Sequence, residues 1–542
     1  MNRLLALLPL ALAACSLDPK DVRPETAPVP PSWPAGDAYL RQQEAALPAV
    51  SWRDVFRDPR LQRVIEQALA NNRDLRIAAD NIAIARAQYR IQRSELFPDL
   101  AASGTYSYSR GATRTGTTTG NGGVGTGGTG TGGTGTGGTG TGTGGTGGTG
   151  GTGGTGGTGG TGGTGGTGTT AVSGTGGTSF FTVQAGVTAF ELDLFGRIRS
   201  LSRAALNEYF ATEAAQRTTR LTIVGNVADA WLTYAADQSL LEIARRTAAS
   251  AERSVRLTRA RLEGGIAPRT DLRQAETVLE TARADLARQT TAVAQDANLL
   301  RLLVGADIDP ALLPADIASA ANTLAELPAG LDSTILLRRP DIVQAEYRLR
   351  AANAQIGAAR AAMFPRLTLT GLAGFASTAL RTLFDGGNFT YQVAPNVDVP
   401  IFDFGGRQAN VAQARANRQL LLDTYEQAIQ TAFREVSDAL ARRGTIAEEE
   451  RAVRARVAAA DDTFRLTEAR YRGGIDPFLN SLDAQRTLYA AQQQLVTTQL
   501  ERGQSLTTLY RALGGDATLD ATADGPRPSS PEPTATPTPP IR

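Results

Sequence analysis

Histidine is absent from this 542-residue sequence, and cysteine and lysine occur once each, as Cys15 and Lys20. Without histidine the chain can build neither a Ser–His or Cys–His catalytic pair nor an imidazole metal ligand. A single cysteine allows no disulfide within the chain and no Cys/His zinc site. One lysine beside the N-terminus leaves none for a P-loop or a Schiff base further on. We therefore expect no enzyme, no cofactor and no bound metal.

The sequence also lacks an excess of charge of either sign, and it lacks long apolar runs. The 55 basic residues nearly balance the 53 acidic ones, and both signs are well mixed. This pattern is not that of a nucleic-acid-binding surface. No run of 18 apolar residues occurs, so a transmembrane helix is not expected. A chain of this kind could cross a bilayer only as a closed β-barrel.

The N-terminus indicates export and anchoring. A short basic start, Met1–Arg3, precedes the eleven-residue apolar run Leu4–Ala14, which is too short to span a bilayer. The run ends in the small residues Ala13 and Ala14, directly before Cys15, as in a bacterial lipobox. We interpret residues 1–14 as a signal peptide and Cys15 as an acylated cysteine. The alternative is a buried or incidental cysteine near a secretory signal.

The sequence contains an internal repeat. Three motifs of the first half recur in the same order in the second half: Glu95–Leu100 as Ala362–Leu367, Asp193–Arg197 as Asp403–Arg407, and Leu257–Ile266 as Leu466–Ile475. Such self-similarity indicates a duplicated structural unit. We predict an N-terminal segment over 15–60, a first repeat over 61–305, a linker over 306–339 and a second repeat over 340–515.

Two segments have biased compositions. Residues 111–178 hold 36 of the 59 glycines, interleaved almost only with threonine. Such a segment cannot bury apolar area, so we interpret it as a flexible loop inserted after the first strand of the first repeat. The last 26 residues contain seven prolines, and we predict a disordered tail over 516–542.

Each repeat follows the same order of elements. A helical pattern stops at Pro98 or Pro365, and two stretches of alternating apolar and small polar residues follow. The alternation fits the strands of a membrane barrel with an aqueous lumen, or equally the half-buried sheet of a soluble domain. Four strands per chain cannot close a barrel, so the membrane alternative requires several chains.

The long helices come next. Arg197–Leu262 and Gly406–Arg472 lack proline over 66 and 67 residues, and apolar residues recur in them at steps of three and four. Each helix would reach about 100 Å at 1.5 Å per residue. A Gly-Gly turn leads from each into a return helix, Pro268–Val304 or Pro477–Leu513. Each pair should form a long antiparallel hairpin.

The lipobox, the duplicated unit, the strand pair before a long helix and the Gly-Gly hairpins together resemble the TolC-like outer-membrane efflux channel family, in its lipidated branch. That branch serves resistance-nodulation-division multidrug pumps. The resemblance implies a mainly α-helical homotrimer with a twelve-stranded transmembrane β-barrel, four strands per chain, continued by a twelve-helix periplasmic α-barrel. It further implies a lipid-anchored protein of the bacterial outer membrane.

In function, the resemblance implies a passive duct that exports drugs or other small molecules from the periplasm. A periplasmic membrane-fusion adaptor and an inner-membrane pump would be the partners. Two alternatives stay open: a conduit for type I protein secretion, and a lipid-anchored structural coiled-coil protein whose strands are soluble.

The resemblance also suggests residues of a periplasmic gate. The family's gate aspartate falls on Asp271 and its gate tyrosine on Tyr471. Its acidic pair falls on Asn480 and Asp483, and its gate arginine falls on Asp476. The last substitution and Asn480 depart from the family pattern. They argue against the family's salt-bridge lock but leave an acidic constriction in place.

Each of these assignments has a plainer alternative. An acid before Pro477 is expected to cap a helix that starts with that proline, and we predict this role for Asp476. Asp483 could equally lie on a solvated helix face. The adaptor is expected to contact the tips of the hairpins, at the four turn glycines Gly264, Gly265, Gly473 and Gly474.

Overall fold

A computed structural model describes residues 51–109, 177–325 and 333–529, together with Leu17, Pro19, Trp33, Pro34 and Tyr39. The predicted signal peptide, Cys15 and the Gly/Thr tract up to position 176 lie outside the described residues. All six copies of the repeated motifs lie inside them.

Among the described residues, the first half of the chain forms five helices and two strands: α1 Trp52–Val55, α2 Pro59–Asn71, α3 Arg73–Ser94, β1 Leu100–Ser109, β2 Thr178–Glu191, α4 Arg197–Glu263 and α5 Arg269–Val304. Asp58 starts α2 by accepting the Arg60 N–H at 2.8 Å, with Pro59 at the first helical position. Helix α2 therefore crosses position 60, where we predicted a domain boundary.

The second half repeats this order: α6 Ile317–Ala321, α7 Pro340–Ala361, β3 Arg366–Ser377, β4 Phe389–Asp398, α8 Gly406–Arg472 and α9 Phe478–Ala512, followed by β5 Leu519–Thr522 and β6 Gly525–Pro528. Helices α4 and α8 are both 67 residues long. The predicted long hairpins are thus present, as α4–α5 and α8–α9. The helices before the strands end three residues ahead of Phe97 and Phe364.

The repeated aspartate–glycine motif caps the long helices. Gly196 and Gly405, with φ of 76° and 85°, directly precede α4 and α8 in the left-handed region that favours glycine. The Asp193 carboxylate accepts the backbone N–H of Arg199 at 2.9 Å, and Asp403 accepts that of Arg407 at 2.9 Å. These bonds satisfy amide groups that have no partner within the helix.

Most of the described chain belongs to a helical unit formed by residues 1–99, 187–370 and 394–542. Its main core gathers side chains from α2, α4, α8 and α9. Trp231 of α4 lies at its centre, fully buried, and its indole N–H donates to the Leu312 carbonyl at 3.0 Å. The sequence pattern of α4, rich in apolar residues on several faces, matches this central position.

The other unit comprises residues 100–186 and 371–393. The four long strands pair in chain order, β1 to β2 to β3 to β4. Large side chains such as Tyr106, Tyr391 and Val393 are mostly exposed, at 60%, 77% and 68%. None of the described helices combines the length and the apolar character needed to cross a membrane.

The prediction of a disordered tail from residue 516 is wrong for residues 519–528. Strands β5 and β6 pair antiparallel, and Leu519 is only 2% exposed. The Tyr347 hydroxyl bonds to both the N–H and the carbonyl of Thr522, at 3.0 and 2.9 Å. Prolines are tolerated here because β6 has a partner on one side only. Residues 530–542 lie outside the described range.

Candidate functional site at the helical tips

Both long hairpins end in the same tight turn. Gly265 and Gly474 each have φ of +74°, which a side chain would make unfavourable. The isoleucine that follows each of them donates its N–H to the carbonyl five residues earlier, at 2.9 Å in both turns. This is the two-bond helix ending that glycine permits. The turns leave Ile266 and Ile475 projecting, 70% and 67% exposed.

Arg261 of α4 and Tyr471 of α8 join the two hairpins. The Arg261 guanidinium lies 4.7 Å from the centre of the Tyr471 ring, and its Nη1 donates to the Tyr471 carbonyl at 2.6 Å. The Tyr471 hydroxyl is 3.2 Å from Oγ1 of Thr258 on α4. A cation over an aromatic face gains most where water is excluded, and Tyr471 is 5% exposed. We call these three residues the tip latch.

A small apolar core lies beneath the tip latch. It draws on both hairpins and contains Ala251, Val255, Leu272, Ala275, Leu279, Tyr471, Phe478 and Leu482. The rings of Tyr471 and Phe478 meet with centroids 5.2 Å apart. The predicted gate tyrosine is therefore a packed side chain whose polar end binds the other hairpin.

The prediction that Asp476 caps α9 is wrong. Pro477 occupies the cap position and Phe478 begins the helix, without a side-chain cap. The Asp476 carboxylate instead accepts two bonds from Arg470, at 2.7 and 3.0 Å. The Arg470 guanidinium lowers the pKa of Asp476. A bidentate ionic pair is stronger than a bond to one backbone amide, which explains the choice.

The two remaining gate candidates, Asp271 and Asp483, are not members of the tip latch. Asp271 is half-buried in the first turn of α5, and Asp483 is exposed on α9. Asp483 lines an open groove of about 610 Å³ between α8 and α9, with Asn480 and Arg456. Within the described part of the chain, neither carboxyl takes part in a hydrogen bond or ion pair. Both are free to act on ions in solution.

The sequence analysis named Tyr471 as a gate residue but did not name the residues that contact it. Arg261 and Arg470 occupy the same place in the two repeats, three residues before the Gly-Gly pair. This equivalence was the one feature of the sequence that pointed to the two arginines. It could not reveal that one arginine reaches across to the other hairpin while the second binds Asp476 in its own hairpin.

A pair of carboxyl groups lies further along the first hairpin, where Asp237 of α4 faces Asp296 of α5. The two carboxyl groups interact, and one oxygen of Asp296 is buried without a partner among the described residues. Burial, then the neighbouring Asp237, raises the pKa of Asp296 to about 7. Over the described ranges, no cluster of three or more acidic side chains is arranged to hold a metal.

This pair predicts a pH-dependent stability. The folded chain holds a proton on Asp296 between pH 4 and 7 that the unfolded chain releases, so stability should fall as pH rises through that window and level off above about 7. We expect a loss on the order of 1–2 kcal/mol, discounted for partial solvent access. Asp296→Asn should reduce the loss by this amount, measured by thermal unfolding of the helical circular dichroism signal at pH 4.5 and 8. Asp307→Asn, at a fully exposed position, should leave it.

We compared the chain with known protein families, curated proteins and solved structures. The model of the family described as outer membrane efflux protein matches residues 64–133, 159–306 and 331–515. The antibiotic efflux pump outer membrane protein ArpC and the toluene efflux pump outer membrane protein TtgC, both from Pseudomonas putida, are each 41% identical over 513 residues, covering 94% of either chain. The solved open state of the Neisseria gonorrhoeae MtrE outer membrane channel is 31% identical, with a TM-score of 0.72, over 92% of this chain and 98% of that one.

Proposed function

This chain belongs to the outer membrane efflux protein family and is an outer-membrane channel of an efflux pump, and we propose that three copies of it form one passive duct. Three chains with four paired strands each would supply the twelve strands that the resemblance implies. Three chains with two long hairpins each would supply twelve helices. The observation that carries the proposal is the pair of 67-residue helices, each about 100 Å long and each returning through a Gly-Gly turn.

The pump partners would meet the duct at the helical tips. An adaptor needs an exposed surface there, and the four turn glycines with Ile266 and Ile475 offer an apolar one. The duct has no energy source of its own, so an inner-membrane pump would drive export. Small organic molecules are the proposed cargo, as the names of the toluene and antibiotic efflux relatives suggest.

Reconstitution tests the duct. The purified chain should have the native mass of three copies in detergent and should give discrete conductance steps in planar bilayers. In a host without its own channel, co-expression with an adaptor and pump should restore export of toluene or of an antibiotic. Omitting the adaptor is the control. A single-chain mass with no conductance would contradict the proposal.

Lipid anchoring at Cys15 is a further part of the proposal. It rests on the lipobox that ends at Cys15. Two described residues that follow Cys15 contact the helical unit: the Leu17 carbonyl accepts a bond from Arg360 Nη1 at 3.2 Å, in the last turn of α7. Trp33 stacks on Phe433 of α8, with ring centroids 5.0 Å apart. Leu17 and Trp33 thus each contact a helix of the helical unit.

Cys15→Ser is expected to abolish acylation while leaving the assembled duct, because strands that cross the membrane would bind it without a lipid. Metabolic labelling with palmitate and the native mass of the variant measure the two effects. Label retained on the variant, or absent from the wild-type chain, would contradict acylation at Cys15.

A further inference from the structure

Three arginines lie close together on α3, near the end of the helix that leads into β1. Arg86, Arg90 and Arg93 are spaced by four and three residues, so their side chains are neighbours on one side of the helix. All three are exposed, and within the described part of the chain none of their side chains takes part in an ion pair or hydrogen bond. We call these three residues the arginine patch.

The arginine patch carries charge that its neighbours do not balance. Like charges three or four residues apart on a helix repel each other and destabilise it. No acidic residue lies three or four positions from any of the three arginines. Helix α3 packs against α4, where Glu208 pairs with Arg348 and Glu213 accepts a bond from Tyr209. This arrangement favours an anionic partner from outside the chain.

The arginine patch lies at the end of α3 from which the chain enters the strands. Arg93 is the second-last residue of that helix, and β1 starts seven positions later, at Leu100. From Arg86 to Arg93 the helix rises about 10 Å. The headgroup layer on one side of a bilayer is about 5–8 Å deep, and long arginine side chains extend toward it. Side chains so close in the chain to strands that cross a membrane can therefore reach its headgroups.

The second repeat shows what lies beside the equivalent face. Arg360 of α7 corresponds to Arg93, because each lies four residues before the phenylalanine of a Phe-Pro pair. Arg360 donates to the carbonyl of Leu17, which is only two residues after Cys15. With Cys15 acylated, as proposed above, this face of α7 lies beside the lipid anchor. The arginine patch occupies the same face of α3.

The two faces differ in charge and in cover. The α7 positions that correspond to Arg86 and Arg90 are Asn353 and Gly357, which are uncharged and buried. The face of α7 thus has one arginine, and that arginine binds the chain's own N-terminal segment. The face of α3 has three, all without a partner among the described residues. The additional arginines are therefore on the face that the described chain leaves uncovered.

We propose that the arginine patch binds the phosphate groups of anionic phospholipids in the periplasmic leaflet of the outer membrane. A guanidinium group can bind two phosphate oxygens at once, and basic side chains near an anionic bilayer surface are attracted to it. The inference rests on the outer-membrane location and on the proposed acylation at Cys15. It adds a direct contact between the helical unit and lipid, and three copies of the chain would carry nine such arginines.

Lipid competition tests the proposal in the full-length chain. The triple variant Arg86→Gln, Arg90→Gln and Arg93→Gln removes the charge but keeps side chains of similar helix propensity. The chain, purified in a neutral detergent, receives equal amounts of anionic phosphatidylglycerol and of phosphatidylcholine, which has no net charge. Native mass spectrometry then counts the lipids retained. The wild-type chain should prefer phosphatidylglycerol, and the triple variant should lower this preference at least tenfold.

The matched control removes three exposed arginines near the other end of α4. Arg253 and Arg256 lie in its last three turns, and Arg269 begins α5. Their replacement by glutamine changes the net charge equally and should leave the lipid preference unchanged. Lysine at the three patch positions should retain most of the preference, because it keeps the charge.

The same samples separate this proposal from the duct. Equal retention of both lipids by the wild-type chain, or equal losses in the two triple variants, would overturn lipid binding by the arginine patch. A three-copy mass with no lipid preference would leave the duct standing without the patch. A single-chain mass would contradict the duct but not the patch. Fewer three-copy assemblies in the patch variant, with an unchanged lipid preference, would assign the arginines to a contact between copies instead.

Discussion

Arg261→Met is expected to raise the ratio of open to closed channels about thirtyfold. The substitution keeps the apolar stem of the side chain but removes the guanidinium that lies over Tyr471 and bonds its carbonyl. A partly desolvated cation–π contact and a hydrogen bond to a carbonyl together contribute about 2 kcal/mol, which corresponds to that factor. We propose that the mouth of the duct widens when the two hairpins of each chain separate at the tip latch. Single-channel recording measures the change directly.

Arg259→Met provides the matched control. Arg259 also lies on α4, but it pairs at 3.3 Å with Glu276 of α5, within its own hairpin. Its loss should leave the open fraction unchanged. Tyr471→Phe should give a smaller rise, because it removes only the hydroxyl contact with Thr258. Equal effects of Arg261→Met and Arg259→Met would mean that lost positive charge, rather than the tip latch, controls opening.

The local features of the tips could be predicted from the sequence. Glycine pairs after long proline-free runs mark where helices turn, because the required left-handed conformation strongly favours glycine. The predicted bounds of α4 and α8 agree with those of the structure to within one residue. The tip latch could not be predicted, because Arg261 and Tyr471 are 210 positions apart and only packing decides which arginine crosses between hairpins.

The two incorrect predictions, for Asp476 and for the C-terminal tail, also have physical causes. Asp476 has the sequence context of a helix cap, but Arg470 lies within reach and forms a stronger bidentate pair. The proline content of the last 26 residues predicted disorder. It could not reveal that Leu519 would find a buried site beside Phe210 and Tyr347. A side-chain pair across the turn outweighed the capping preference in the first case, and a tertiary contact outweighed the local preference in the second.

The second large effect concerns ion selectivity. Asp271→Ala combined with Asp483→Ala is expected to reduce the preference of the duct for cations severalfold, measured as reversal potentials in asymmetric salt. In a three-copy duct these residues would place six unpaired carboxylates near a narrow mouth, and such charge rings set selectivity in channels. Low salt is needed, since about 0.1 M salt already screens exposed charges beyond roughly 10 Å. Block by multivalent cations should weaken in parallel.

The matched control removes the same charge elsewhere. Asp461 and Asp462 lie on α8, both ion-paired with Arg465, so Asp461→Ala with Asp462→Ala changes the net charge equally without touching unpaired acids. This double variant should keep the wild-type reversal potential. If Asp271 and Asp483 serve only the helices that carry them, their loss costs a few tenths to about 1 kcal/mol of stability and leaves selectivity unchanged. An unchanged reversal potential in an intact assembly would therefore remove both residues from the gate.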